Sequence, residues 1–206
     1  TIGSGDERAF SSMKETLASN LNSDFRRSDA YLAVIIVSDE DDFSYDGGAY
    51  INRNYNHAGL HTTASYVSYL DQLTGSTSAQ RRFSVSAIGI FDDACLASQQ
   101  PWGIKGQRYE QMVDATNGVK GSVCGNFATT LDSIQSRILE LSTQFFLNRI
   151  PVLSSLVIAV NGTRVEGDSN NGWTYHSDTN SIRFHGTSIP PQGATISVDF
   201  DPVTIR

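Results

Sequence analysis

The chain has only two cysteines and four histidines in 206 residues. No Cys-x-x-Cys pair occurs, and the one four-step histidine pair, His57 and His61, lacks the intervening Glu of a zinc helix and is interrupted by Gly59. A Cys/His zinc centre is therefore hard to build, and any metal is expected to be held by oxygen. Basic residues are also in deficit, with 15 Lys and Arg against 22 Asp and Glu, a net charge of -7 and a pI near 4.9. Phosphate-backbone binding needs a cationic surface that releases counterions, so no nucleic-acid partner is expected. Long apolar stretches are missing too. The apolar run Tyr31 to Val37 covers seven residues, against the roughly 20 that span a bilayer, so no transmembrane segment is expected. The N-terminus carries no basic and apolar leader pattern, which places any signal peptide upstream or already removed. Neither a P-loop, a Gly-x-Gly-x-x-Gly fingerprint nor a Gly-x-Ser-x-Gly elbow is present, and the expectation is a protein that is not an enzyme.

What the chain does have is enough apolar material for a core, at 39% hydrophobic and 10% aromatic residues with five prolines, outside the range of disordered chains. Phe10, Met13, Leu17 and Leu21 recur at helical steps behind the acidic Asp6 and Glu7. The run Tyr31 to Val37 is β-branched and does not alternate, the pattern of a strand buried on both faces of a parallel sheet. A helix over 62–73 and a strand over 83–90 follow, and the β-α-β rhythm is established. A loop over 91–106 precedes a short helix through Tyr109, Met112, Val113 and Thr116 that stops at Asn117-Gly118. A short strand over 121–124 leads to a helix of about 20 residues striped by Phe127, Leu131, Ile134, Ile138, Leu141 and Phe145.

Pro151 marks a change of texture. Short β-type segments over 156–160, 173–175, 181–184 and 195–200 are separated by Asn, Gly, Asp and Pro, with Asn161-Gly162 as a hairpin turn. The reading is an α/β domain over 1–149 and a small β-sandwich-like module over 150–206, which at that size leans on its neighbour.

The ordered set Val34-Ile-Ile-Val-Ser-Asp39, Val85-Ser-Ala-Ile-Gly-Ile90 and the stretch from Tyr109 through Asn117-Gly118 to Ile138 resembles the second half of a von Willebrand factor A (vWA) domain. The resemblance covers about residues 1–148 and implies a partial Rossmann-like sheet of parallel strands flanked by helices. That family holds a divalent cation at the carboxyl ends of its strands, in a metal-ion-dependent adhesion site built from hydroxyl and carboxylate oxygens. Such oxygens suit Mg²⁺, with Mn²⁺ or Ca²⁺ as alternatives. The resemblance implies Asp39 and Ser4 as metal ligands, with Glu40 standing where the family has Gly. Asp41, Asp42, Tyr45 and Tyr50, in the acidic run and the Tyr-rich loop behind it, are the expected ligand-binding surface; for the run the bland reading is a solvated turn, for the loop one packed on its own domain.

The family's Asp-x-Ser-x-Ser element and its first strands are absent. A fully apolar strand would then stand at a sheet edge, so a missing N-terminal half or another chain is expected to complete the sheet. The implied function is a secreted or cell-surface binding and adhesion protein that recognises a protein or acidic ligand. The alternatives are a structural module of an envelope assembly with a degenerate metal site, and a subunit that presents substrate to an enzyme. Cys95 and Cys124 follow neighbouring strands at the same carboxyl edge, and an even cysteine count in a chain resembling extracellular binders points to a disulfide and an extracytoplasmic location.

Overall fold

The computed structural model describes residues 7–19, 25, 30–47, 54–78, 80–191 and 193–203. The chain divides into two compact units, 1–138 and 139–206.

In the first unit, α1 (Ala9–Ala18), β1 (Leu32–Val37), α2 (Thr63–Thr74), β2 (Phe83–Gly89), α3 (Asp93–Ser98), α4 (Gln107–Thr116) and β3 (Lys120–Ser122) follow in order, and α5 (Phe127–Ser142) begins there and ends past the boundary. The strands form one parallel sheet in the order β1-β2-β3. Every residue of β2 is buried. Phe83, Val85 and Ala87 share one face with Leu32, Val34 and Ile36 of β1, and this face packs on Phe10, Tyr66, Leu70, Tyr109 and Met112 from the helices. Thr62 caps α2 by accepting from the Ser65 amide, and Gly75 closes it in the left-handed conformation. Asn117 does the same for α4 at φ 55°. A Cβ on Gly118 would lie 1.9 Å from the Val85 carbonyl oxygen, so only glycine lets α4 turn into β3 against the sheet.

β1 departs from the expectation of burial on both faces. It is an outer strand, and Ile35 and Val37 are 45% and 57% exposed. The Leu32 and Ser38 amides donate to the Arg82 and Ile88 carbonyls of the β2 side, each at 3.0 Å. With the period of two in a strand, Ala33, Ile35 and Val37 therefore turn their N–H and C=O groups to the edge that no strand pairs among the described residues. Two further expectations are corrected. The 91–106 stretch contains a helix, α3, which Asp92 caps by accepting from the Cys95 amide at 2.8 Å. The stripe ending at Phe145 is too long for one helix: α5 stops at Ser142, Phe145 lies in a strand, and of that stripe Phe127 and Leu131 are exposed.

The second unit starts at Leu139 rather than near 150, because β4 (Gln144–Phe146) pairs with β8 inside it. Its strands form two antiparallel sheets. One has the order β4-β8-β7, with β7 at Trp173–His176 and β8 at Ser181–Phe184. The other has the order β6-β5-β9, with β5 at Val157–Val160, β6 at Thr163–Val165 and β9 at Ile196–Asp199. Asn161 and Gly162, at φ 51° and 80°, make the tight turn between β5 and β6. Leu156, Ile158, Ile182 and Phe184 form the shared core, and Phe145 meets Phe184 edge-on at 5.5 Å.

Candidate functional site

The segment after β1 carries the highest density of acid in the chain, and three of its four carboxylates are buried. Burial of a carboxylate demands donors, and these come from two helix N-termini. Neither α1 nor α4 has a side-chain cap of its own; Arg8 and Gly106 stand at their cap positions. Asp42, fully buried, accepts from the Phe10 amide of α1 at 2.9 Å and from the Ser44 hydroxyl at 2.8 Å on one oxygen. Its other oxygen accepts from the Ser44 amide at 3.1 Å and from the Arg108 guanidinium at 3.3 Å. The Ser44 hydroxyl in turn accepts from the Ser11 amide of α1 at 3.0 Å.

Asp41 caps α4. Its oxygens accept from the Arg108 amide at 3.0 and 3.2 Å, and one also accepts from the Asp42 amide at 2.9 Å. Burial nonetheless pushes the Asp41 carboxyl up to about 6, against the opposing pull of those amides and of the Arg108 charge. Nearby, burial and then the charge of Asp42 hold the Tyr109 phenol well above its ordinary range. The acidic run is thus a clasp: two consecutive carboxylates from one loop close the positive ends of two helices separated by about 100 residues of chain. Arg108 adds the countercharge and also donates to the His61 carbonyl.

Glu40 is buried and accepts from the Tyr55 hydroxyl at 2.9 Å. The Ser38 hydroxyl donates to the Glu7 carboxylate and accepts from the Glu40 amide at 3.1 Å. Asp39 is the exception, exposed at the carboxyl end of β1, with its carbonyl accepting from the Ile104 amide at 3.0 Å. Tyr45 is buried with Phe43, Leu60 and the partly buried Tyr55, and the Arg8 guanidinium lies 4.2 Å from its ring centroid. Ser4 and Tyr50 lie outside the described residues.

The sequence-predicted residues are therefore split. Asp41, Asp42 and Tyr45 stand together but face inward, whereas Asp39 faces solvent alone. Arg108, Ser44 and Glu7 were not singled out from sequence. The available signal was two helices starting without a capping side chain and a loop holding more acid than a turn needs. Among the described residues no group of three or more His, Cys, Asp or Glu side chains could hold a metal. For a hard dication, Asp39 offers a single carboxylate toward the six or so oxygens required, since the buried Ser38 hydroxyl is already engaged by Glu7 and by the Glu40 amide. The buried pair is not free to add to them, because amides and Arg108 already hold it.

Cys95 and Cys124 lie at this same carboxyl edge, with Cα atoms 5.6 Å apart and sulfurs at bonding distance, 2.02 Å. The bridge ties α3 to the turn between β3 and α5. No helix among the described residues is long and apolar enough to cross a membrane. No protein-family model, curated protein or solved structure matches the chain.

Proposed function

We propose that the chain is the second half of a vWA-type binding module acting outside the cytoplasm. It engages a protein or other acidic surface group through a divalent cation, Mg²⁺ or a substitute Mn²⁺ or Ca²⁺, held at Asp39. The observation that carries this reading is the exposed Asp39 carboxylate at the carboxyl end of a parallel strand that, among the described residues, is the outer one of its sheet. Ligands of open parallel sheets bind at the carboxyl ends of strands, and oxygen donors there suit a hard ion. Asp39 alone cannot fill the coordination sphere, so the remaining oxygens come from water, from the bound ligand, from Ser4 and from polypeptide that pairs with β1. That polypeptide is the missing half of the sheet or another chain. An oxidising compartment fits the paired cysteines.

A second reading, a structural module of an envelope assembly with a degenerate metal site, is favoured by one feature. Arg108 already pairs with Asp42, and the Arg108 amide already holds Asp41, so both buried carboxylates have partners within the chain. Calorimetric titration with Mg²⁺ separates the two. The binding reading expects weak, saturable heat that disappears in Asp39→Ala and persists in Asp41→Asn. Equal isotherms for the native chain and Asp39→Ala would favour the structural reading.

A further inference from the structure

The second unit carries a different cluster that the preceding reading does not use. In the sheet β4-β8-β7, Gln144 pairs with Arg183, Arg183 with Thr174, and Ser181 with His176. The alternation of the strands then puts Thr174, His176, Ser181, Arg183 and Gln144 on one polar face, while Tyr175, Ile182 and Phe184 turn to the core. His185 continues that face one residue beyond β8. The Thr174 hydroxyl meets the Nε2 atom of His185 at 2.7 Å and the Nε2 atom of His176 at 3.1 Å. Two imidazoles thus aim the same ring nitrogen at one point.

A single hydroxyl proton can satisfy only one of two lone pairs, so the arrangement needs one imidazole as the Nε2–H tautomer and leaves the other as an acceptor. A cation seated between the two Nε2 atoms, with the Thr174 oxygen beside it, would let both rings present lone pairs, with their protons moved to Nδ1. The Arg183 guanidinium on the same face is paired with Glu140 at 2.9 Å, which offsets its charge. Asp168 lies close enough to His185 for their charges to interact, and its loop is held in place by the Asn170 and Asn171 amides, at 2.6 and 2.8 Å. Gly186, at φ +56°, packs against Asn171 and fixes the backbone beside His185.

We propose that His176 and His185, with the Thr174 hydroxyl beside them, form a two-histidine site for a borderline transition-metal dication, Zn²⁺ or Cu²⁺, with its remaining positions open to water or an external donor. Imidazole nitrogens prefer these ions to Mg²⁺ or Ca²⁺, so the site is chemically distinct from Asp39. Two ligands give modest affinity, and the open positions would let the ion bridge to a donor on another molecule.

The test is calorimetric titration of the untagged chain with ZnCl₂, with ring ¹⁵N spectra of the histidines recorded at each point. One equivalent is expected to bind in the micromolar range, shifting the Nε2 signals of His176 and His185. His176→Ala and His185→Ala are each expected to weaken binding by about ten-fold or more, while Asp39→Ala leaves it unchanged. Both histidines are partly exposed, and circular dichroism confirms that the variants remain folded. Absence of saturable binding below millimolar Zn²⁺, binding that both substitutions leave intact, or shifts confined to His57 and His61 would each overturn the proposal.

Discussion

Asp42→Ala is the perturbation that weighs the acidic clasp most directly. The native carboxylate is fully buried and accepts from the Phe10 amide, the Ser44 amide, the Ser44 hydroxyl and Arg108. Truncation leaves two buried backbone donors, the Phe10 amide of α1 and the Ser44 amide of the loop, without their acceptor, at about 1–3 kcal/mol for each such group. It also removes the carboxylate partner of Arg108, and breaking a buried ion pair costs about 3–5 kcal/mol. These losses overlap, because the same oxygen serves Ser44 and Arg108, so the expected total is about 4 kcal/mol. Urea denaturation followed by far-UV circular dichroism should report it as a lower midpoint with little change in slope. Arg108→Ala should cost less, since the amides still hold Asp42. The double variant should be less damaging than the two single losses added together, with a coupling of at least about 1 kcal/mol. A loss below about 1 kcal/mol in Asp42→Ala, or strict additivity, would refute the clasp as a stabilising device.

The remaining predictions concern the neighbouring elements. Raising pH through the native Asp41 pKa of about 6 should remove stability, because the native state holds a proton that the unfolded chain releases near 3.8. The native chain should therefore gain on Asp41→Asn as pH falls from 7 to 4, by about 3 kcal/mol at most; a flat difference in urea midpoints would contradict this. Cys95→Ser should cost about 3–4 kcal/mol by releasing the closed loop between Cys95 and Cys124, and unreduced protein should resist alkylation at both thiols. Gly118→Ala should cost about 3 kcal/mol, since its Cβ would overlap the Val85 carbonyl; a thermal midpoint within a degree or two of the native one would count against the packing described. Amide exchange in β1 should alternate, slow at Val34 and Ile36 and fast at Ile35 and Val37, and protection of all four in a monomer would show the edge to be covered.

Periodicity alone made the parallel sheet legible. Phe83 to Gly89 is apolar or small throughout, and the structure buries all of it. The stop at Asn117-Gly118 is a local effect of left-handed backbone and close approach to Val85, and such effects are written in adjacent residues. β1 has the same apolar texture as β2, yet its residues sit on an edge, because composition records what a strand can bury and not whether a neighbour is there. Phe145 was misread for a related reason: its spacing continues the helical stripe, but pairing with Ile182 makes it a strand residue.

The acidic run shows the sharpest limit. Asp41 and Asp42 look like a charged surface turn until helices from residues 9 and 107 bring their amides to them, contacts 32 to 67 residues away in sequence. No local pattern separates a solvated aspartate from one that caps a distant helix. Asp39, one position from the buried series, keeps its exposure because the chain alternates as it leaves the strand.

The binding reading rests on Asp39, and paramagnetic relaxation by Mn²⁺ tests it at single-residue resolution. With the ¹⁵N-labelled chain titrated at low Mn²⁺, amide signals from Ser38 to Glu40 should broaden first, and this localised loss should vanish in Asp39→Ala while broadening elsewhere is unchanged. Uniform broadening over the acidic surface, or the same pattern with Asp39 removed, would contradict a cation site at the end of β1.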